Sequence, residues 1–204
     1  MSEPRSITAI VLAGGESSRF GGDKLAAELD GAPVLHHVLR AVAGVAVKIV
    51  LVLAPDTPVP PLPRELAGRT VVARDAVRHA GPLAAVAAGL ASIHDDAPRI
   101  AIVVGGDMPW VVPAVLRLLA DRLGSDASLA AMTLDAAPPT PLPLALRPER
   151  AREAIATCLA GSRRSLRSLL EAAPSAMLPA ADWRALDPGG ATLRDVDVPD
   201  DLRR

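Results

Sequence analysis

Aromatic residues are almost absent from this chain of 204 residues, which contains one phenylalanine, two tryptophans and no tyrosine. Half of the residues are nevertheless hydrophobic, so the core has to consist mainly of alanine, leucine and valine. Such small aliphatic side chains favour helices packed closely against a sheet. The length fits one domain of somewhat more than average size.

Cysteine and clustered charge are also scarce. Cys158 is the only cysteine, which excludes an intrachain disulfide and a metal cluster held by several thiolates. Basic residues number 22 and acidic residues 23, giving a net charge of −1, and no block of lysine or arginine stands out. We therefore expect neither nucleic acid nor an anionic membrane as a partner, and any anion site has to be local.

Hydrophobic segments are too short for a membrane protein. Residues 1–5 are polar and lead directly into an apolar strand, without the hydrophobic segment and cleavage site of a signal peptide. No apolar stretch reaches the roughly 20 residues that cross a bilayer. These features predict a cytoplasmic protein.

Apolar segments rich in β-branched residues alternate with helical segments in the first part of the chain. The predicted strands are residues 7–13, 48–53, 70–73 and 99–104, with a short strand within 25–29, and the predicted helices are 33–42, 82–92 and 113–123. Four buried strands separated by helices indicate a parallel sheet covered on both faces. The sequence therefore predicts a single-domain α/β fold, a Rossmann-like three-layer α/β/α sandwich with a mostly parallel sheet.

The second part of the chain is less regular. Residues 128–134 predict a strand, and residues 148–159 and 165–173 predict amphipathic helices. The stretch 136–148 contains five prolines and is predicted to be a loop or an edge insertion. The tail, residues 196–202, ends the domain.

The loop after the first strand is the most informative segment. Residues 12–24 have the sequence Leu-Ala-Gly-Gly-Glu-Ser-Ser-Arg-Phe-Gly-Gly-Asp-Lys. Glycines at the carboxyl end of a parallel strand let backbone N–H groups approach a ligand, and open α/β sheets bind ligands at that edge. Arg19 and Lys24 add two cations, and Ser17 and Ser18 add two hydroxyls, a set suited to a polyphosphate.

Two common nucleotide-binding loops do not fit this segment. A P-loop requires Gly-Lys-Ser/Thr, whereas Lys24 follows Asp23 and precedes Leu25. The dinucleotide motif Gly-x-Gly-x-x-Gly does not occur in this stretch. A glycine-rich turn without a ligand is the alternative interpretation, but the placement of Arg19 and Lys24 favours phosphate binding.

Residues 12–24 resemble the signature of the nucleotidyltransferases that act on the molybdenum cofactor. They are most similar to the molybdenum cofactor guanylyltransferases of the MobA type. The resemblance continues in Gly-Pro-Leu-Ala at 81–84, in Gly-Asp-Met-Pro at 106–109 and in the tail at 195–202. It thus covers nearly the whole chain in the family's order, and the double glycine and Gly-Pro-Leu-Ala favour the guanylyl branch.

The resemblance implies a fold of the nucleotide-diphospho-sugar transferase type. It also implies a Mg²⁺-dependent transfer of GMP from GTP to the phosphate of molybdopterin, giving molybdopterin guanine dinucleotide and pyrophosphate. One domain, residues 1–204, would hold the nucleotide in its first half, about 1–110, and the acceptor in its second half, about 111–204. GTP and molybdopterin are the implied partners, with other cofactor-biosynthesis proteins or acceptor molybdoenzymes as further candidates.

The resemblance also implies the site residues. Arg19 and Lys24 would hold the triphosphate, and Asp107, which follows a buried strand, would bind Mg²⁺, a cation that prefers one or two carboxylates with phosphate and water oxygens. An ordinary turn cap is the alternative for Asp107, and a structural turn is the alternative for Asp75. The residues implied to contact the nucleotide are Leu12, Ala13, Gly14, Gly15, Lys24, Asp75, Gly81, Pro82, Leu83 and Asp107.

The remaining candidates lie nearer the carboxyl terminus. Asp195 or Asp197 would approach the metal, with Asp197 as the candidate second ligand, although such acids also cap final turns. Arg163 and Arg164, with Arg167, resemble the basic element near the family's pterin side and are candidates for acceptor binding. A solvated helix face is the alternative for these arginines.

Three other functions remain open at this point. A CTP-dependent relative would usually have Leu-Ala-Ala-Gly, whereas this chain has Ala13-Gly14-Gly15, and sugar-phosphate transferases are commonly longer. A non-catalytic nucleotide-binding accessory protein is the third. It is suggested by residues 140–143, Thr-Pro-Leu-Pro, because guanylyl enzymes tend to have His or Gln before Pro-Leu and an aromatic after it. Arg19, Lys24 and Asp107 weigh against an inactive protein.

Overall fold

The structure is a computed structural model that describes residues 6–15, 20–75, 80–93, 100–124, 126–135 and 137–203. The strands are β1 Ile7–Leu12, β2 Glu28–Leu29, β3 Ala32–Pro33, β4 Lys48–Leu53, β5 Thr70–Arg74, β6 Ile100–Gly105, β7 Leu129–Met132, β8 Leu144–Leu146 and β9 Ser175–Leu178. The α-helices are α1 Val34–Ala43, α2 Pro82–Ala91, α3 Pro113–Asp121, α4 Pro148–Ala160, α5 Leu166–Ala172 and α6 Ala180–Trp183. Short 3₁₀ helices span Arg64–Arg69, Ala191–Leu193 and Pro199–Arg203.

Within the described residues, seven strands form the central sheet, in the order β5-β4-β1-β6-β8-β7-β9. Strand β8 runs antiparallel to both of its neighbours, and the other neighbouring pairs are parallel. Strands β2 and β3 form a separate small hairpin. The predicted α/β class with a mostly parallel sheet is thus confirmed.

Helices cover both faces of this sheet. Leu39 of α1 and Leu119 of α3 pack on one face, and Leu90 of α2 and Ile155 of α4 pack on the other. The small residues of the sequence permit close packing, since a Cβ added at Gly89 would lie 2.7 Å from the Ile10 side chain. Among the described residues, no helix is long and apolar enough to cross a membrane.

The prediction for the proline-rich stretch 136–148 was wrong for its last part, although residues 137–143 form a loop as predicted. Leu144–Leu146 forms β8, which lies inside the sheet between β6 and β7, and its three residues are fully buried. A strand of three residues is too short to show the alternation of side chains that identifies a strand, and the prolines around it favour the prediction of a loop. Its place is decided by pairing on both sides, with Leu146 opposite Ala101 and opposite Leu129.

The other differences are smaller. Strand β9 and helix α6 are absent from the sequence prediction, because Ser-Ala-Met-Leu lacks β-branched residues and α6 has only four residues. The strand predicted at 128–134 is shorter, Leu129–Met132. Pro33 precedes α1 instead of opening it.

The C-terminal tail is bound to the domain through Thr192, which Asp187 holds in place. Asp187 is 4% exposed, and its carboxylate accepts hydrogen bonds from the N–H of Ala191 at 2.9 Å and of Thr192 at 2.7 Å. The Thr192 hydroxyl accepts in turn from the N–H of Val112, just before α3. Burial raises the pKa of Asp187, but these hydrogen bonds outweigh it and hold the pKa below its usual value.

We expect Asp187→Ala to lower the free energy of unfolding by about 2 to 4 kcal/mol, because one buried and one partly buried N–H group lose a charged acceptor. Urea denaturation measures this, with the exposed Asp182→Ala variant as a control. The folded pKa of Asp187 is lowered, so its stabilisation is complete above the unfolded pKa of about 3.9 and is lost as the pH falls through the folded pKa. A variant as stable as the wild type at pH 7 would contradict this role.

Candidate active site

A cavity of about 440 Å³ lies at the carboxyl edge of the parallel strands. Strands β5, β4, β1 and β6 are neighbours in the sheet, and the segment that follows each of them contributes to the cavity wall. The amino end of α2 closes one side. The lining residues are Leu12, Gly14, Gly15, Val52, Leu53, Ala54, Pro55, Asp75, Ala80, Gly81, Pro82, Ala85, Gly105, Asp107 and Leu142.

Gly14 lets the first loop lie directly against the end of β4. A Cβ at this position would be 2.9 Å from the backbone nitrogen of Ala54, closer than side chains tolerate. The pairing of β1 with its neighbours continues into this region, since Ala13 N–H donates to Val52 and Gly106 N–H donates to Leu12, both at 2.8 Å. The loop after β1 and the segment before Asp107 are thereby fixed beside each other.

Gly81 lets a second loop approach the amino end of α2. Its φ is +90°, a conformation that glycine adopts without strain, and a Cβ there would lie 2.9 Å from the Cβ of Arg164. The carbonyl of Arg164 accepts a hydrogen bond from Leu83 N–H at 3.2 Å. The predicted nucleotide and acceptor elements are therefore in direct contact.

Charged side chains converge at the Asp107 side of the cavity. The Lys24 ammonium is 2.5 Å from a carboxylate oxygen of Asp107 and 3.7 Å from one of Asp197. The side chains of Lys24 and Asp107 are 12% and 24% exposed, so their attraction is only partly screened by water. One cation thus lies between two carboxylates.

The tail that carries Asp197 is anchored beside Asp107. Val196 N–H donates to the Asp107 carbonyl at 2.8 Å, and the Val196 side chain is fully buried against Leu29 and Val34. Asp195, on the other side of Val196, keeps exposed surface. Partial desolvation, followed by the charges of Asp197 and Asp107, raises the pKa of Asp195 above its usual value.

These residues fit a metal ion that arrives with a polyphosphate. No group of three histidine, cysteine or acidic residues among the described positions is arranged to hold a metal alone. Mg²⁺ bound to a nucleotide needs only one or two carboxylates, since phosphates and water supply the other oxygens. Asp107 and Asp197, which converge on one ammonium group, meet that requirement.

The predicted site residues are not all at the cavity. Leu12, Gly14, Gly15, Asp75, Gly81, Pro82 and Asp107 line it. The side chains of Ala13 and Leu83 are buried in the core on opposite faces of the sheet, so only their backbones are available. Arg19 lies outside the described residues.

The arginine loop before α5 lies beside the cavity without lining it. Arg163 donates to the Ser168 carbonyl at 2.8 Å and pairs with Glu171 at 3.3 Å. Arg164 is exposed and contacts the Gly81 turn through its backbone. The backbone of this loop thus lies against the amino end of α2, while the Arg163 guanidinium is bound within its own segment.

Several lining residues have no motif that would reveal them. Leu142 reaches the cavity because Leu144 pairs with Val103 in antiparallel register, which brings the preceding residues alongside Gly105. Ala54 and Pro55 form another part of the wall. Only the unpredicted placement of β8 and the tertiary structure bring these residues here.

Comparison with known proteins agrees with this geometry. The family described as the MobA-like NTP transferase domain matches residues 9–177. A probable molybdenum cofactor guanylyltransferase of Mycobacterium marinum is 34% identical over 131 residues, which are 63% of this chain and 62% of that protein. The corresponding protein of Mycobacterium avium is 36% identical over 120 residues, 57% of each chain. The chain thus matches less than two thirds of the length of these relatives.

Solved structures agree on the fold over almost the whole chain. The molybdopterin-guanine dinucleotide biosynthesis protein A of Archaeoglobus fulgidus superposes with a TM-score of 0.76 at 23% identity, covering 97% of this chain and 95% of the other. The 2-C-methyl-D-erythritol 4-phosphate cytidylyltransferase of Thermus thermophilus gives 0.68 at 18% identity, covering 95% and 94%. The predicted nucleotide-diphospho-sugar transferase type of fold is confirmed.

Proposed function

The chain belongs to the MobA-like NTP transferase family, and we propose on this basis that it is a Mg²⁺-dependent molybdenum cofactor guanylyltransferase. The reaction transfers GMP from GTP to the phosphate of molybdopterin, releasing pyrophosphate. The observation that carries the proposal is the cavity with Asp75 and Asp107 in its wall. These residues follow β5 and β6, which are three strand spacings apart, about 14 Å. That distance suits a nucleoside with its first phosphate.

The Asp75 side of the cavity suits a guanine base. Guanine presents two adjacent N–H donors on one edge, and a carboxylate accepts two parallel hydrogen bonds. Adenine and cytosine have a ring nitrogen that accepts at the corresponding position, which a carboxylate would repel. Pro82 and Ala85 of α2, with Pro55, give this side apolar walls for the base. The names of the mycobacterial relatives support the same nucleotide.

The Asp107 side suits the triphosphate. Lys24 would exchange its contact with the Asp107 carboxylate for phosphate oxygens, and Arg19 would assist it. The chain positions charge here and contributes no covalent step of its own. Mg²⁺, held by Asp107 with Asp197 as a second ligand, would neutralise charge on the phosphates.

The transfer itself is an in-line displacement. A phosphate oxygen of molybdopterin forms a bond to the α-phosphorus of GTP, and the bond from that phosphorus to the bridging oxygen of the β-phosphate breaks. Pyrophosphate leaves with the electron pair. Arg164 lies next to the Gly81 turn and Arg163 precedes it in the same loop, so we assign both to the acceptor phosphate or pterin. GTP is a cytoplasmic substrate, and we place the reaction in the cytoplasm.

Thermal unfolding with Mg²⁺ and each of GTP, CTP, ATP and UTP tests the choice of nucleotide. We expect GTP alone to raise the Tm, by about 5 to 10 °C at a hundredfold excess over its Kd. Asp75→Asn serves as the matched variant and should reduce this preference, because an amide offers one acceptor where the carboxylate offers two. A Tm raised by CTP instead would replace the guanylyl assignment with the cytidylyl one.

A second measurement separates an enzyme from a non-catalytic nucleotide-binding protein. Pyrophosphate release from GTP is followed with molybdopterin present and absent. We expect release that depends on molybdopterin and Mg²⁺. Binding of GTP with no release under any of these conditions would support the accessory protein.

A further inference from the structure

The cavity wall formed by Ala54 and Pro55 begins a segment that cannot stabilise itself. Residues 55–63 contain five prolines, which have no backbone N–H, so the segment has few donors for its own carbonyl groups. Within it, Thr57 N–H donates to the Ala54 carbonyl at 3.2 Å. Any further order in this segment depends on donors from elsewhere in the chain, since water, the other donor available to these exposed carbonyls, does not fix their positions.

Arg74 supplies them. One terminal guanidinium nitrogen lies 3.0 Å from the Ala54 carbonyl, 2.9 Å from that of Pro55 and 2.8 Å from that of Thr57. Hydrogen bonds to a charged donor are about twice as strong as neutral ones. The guanidinium group therefore fixes the start of the proline segment.

Arg74 acts on the wall from outside, while its neighbour Asp75 lines the cavity. Asp75 N–H donates to the Leu53 carbonyl at 2.9 Å, so the pairing of β4 and β5 continues to this point, where successive side chains point to opposite faces. On the inner side, Gly14 lies against Ala54 with no room for a Cβ. The wall is thus held between Arg74 and Gly14.

We propose that Arg74 is a positioning residue for the nucleobase, because it fixes the Ala54–Pro55 wall of a cavity that Pro82 and Ala85 of α2 also line. This inference rests on the proposed function, in which the cavity binds a nucleoside triphosphate. A prearranged wall lowers the cost of ordering the site when a ligand binds. Loss of Arg74 should therefore weaken base binding and base discrimination more than the chemical step.

The chain offers a matched control in Arg69. Its guanidinium group donates to three backbone carbonyls as well, those of Ala43, Ala46 and Val47. These carbonyls lie at the opposite edge of the sheet, where β4 begins. Both arginines stabilise loops, but only Arg74 touches the cavity wall.

The experiment compares Arg74→Met with Arg69→Met by GTP and CTP titration at a temperature at which both variants are folded. We expect Arg74→Met to raise the Kd for GTP roughly tenfold and to reduce the preference for GTP over CTP, measured as the ratio of their Kd values. The kcat at saturating GTP should stay within about threefold of wild type. Arg69→Met should lower the Tm and leave the Kd values unchanged. Arg74→Lys, with three N–H groups on one atom, should restore part of the affinity.

Two results would overturn the inference: an unchanged Kd and base preference in Arg74→Met, or an equal loss in Arg69→Met. Should Arg74→Met not fold, Arg74→Gln takes its place with the same expectation. The wild-type titration tests whether the chain binds a nucleotide at all. If the wild type binds no nucleotide, the proposed function fails, whereas an unchanged Arg74 variant beside a wild type that binds GTP refutes only the role of Arg74.

Discussion

Lys24→Ala is expected to fold normally and to lose about a thousandfold in kcat/KM, since a cation aimed at developing phosphate charge is worth several kcal/mol in a preorganised site. The ammonium of Lys24 already lies between Asp107 and Asp197, 12% exposed. Its removal also leaves two carboxylates near each other without this cation, which opposes the approach of an anionic nucleotide.

The chain provides a matched control, because it contains only one other lysine, Lys48. Lys48 is exposed at the start of β4, the end of the strand remote from the cavity. Pyrophosphate release by Lys24→Ala, Lys48→Ala and wild type measures the effect, and circular dichroism and thermal unfolding check the fold. Near-normal turnover by Lys24→Ala would refute the catalytic role of the lysine.

The parallel half of the sheet could be predicted from the sequence because each of its strands is a continuous apolar run. Strands β1, β4 and β6 are buried on both faces, which produces segments such as Lys48–Leu53 with five consecutive buried residues. Strand β5 lies at the edge of the sheet and is only partly buried, but its Val-Val-Ala core is still apolar. A helix or a loop with turn residues separates each pair. Local pattern and final structure therefore agree over this part of the chain.

Strands β8 and β9 could not be predicted in the same way. Strand β8 has three residues among prolines, and its central position depends on pairing with β6 and β7, which are distant in sequence. Strand β9 follows Pro174 and reads Ser-Ala-Met-Leu, with no β-branched residue. In both cases tertiary pairing, not local preference, selects the strand.

The candidate site also contains both residues that could be predicted from the sequence and residues that could not. Residues within motifs, such as Gly14 and Asp107, were predicted, and the structure places them at one cavity. Leu142 and Arg74 were not predicted, because a lone leucine or an exposed arginine has no chemical signature in the sequence. Leu142 and Arg74 reach the cavity or its wall only because the folded chain brings distant segments next to them. The functional roles of all these residues remain predictions that the variants test.

The contact between Gly81 and Arg164 has a consequence for how the two halves of the site work together. The amino end of α2 contacts the cavity on one side and the arginine loop on the other. A nucleotide that settles against Pro82 would therefore lie next to the loop assigned to the acceptor. The same juxtaposition explains why Gly81 has to be a glycine, since any side chain there would separate the two elements.

The second large effect is expected for Asp107→Asn, which should lower kcat by about a thousandfold and remove the Mg²⁺ dependence of GTP binding. An amide keeps the size of the carboxylate but carries no charge to hold the cation, and the metal contributes several kcal/mol of charge stabilisation. GTP titrations at several Mg²⁺ concentrations and single-turnover rates measure the two effects. Asp200→Asn, in the same acidic tail but paired with Arg203 at the surface, is the control and should match wild type.

The alternative role of Asp107, an ordinary turn cap, predicts a different result. A cap would accept hydrogen bonds from nearby backbone N–H groups, and its loss would lower the Tm while leaving the Mg²⁺ titration unchanged. In the structure, the Asp107 carboxylate accepts a hydrogen bond from the Lys24 ammonium at 2.5 Å. The N–H of Gly105, two residues earlier, donates to the sulfur of Met108 and not to this carboxylate. For Asp197→Asn we expect only a partial loss of Mg²⁺ dependence. The Asp197 carboxylate lies 3.7 Å from the Lys24 ammonium, farther than that of Asp107 at 2.5 Å, and we take this ammonium as the position of a bound cation.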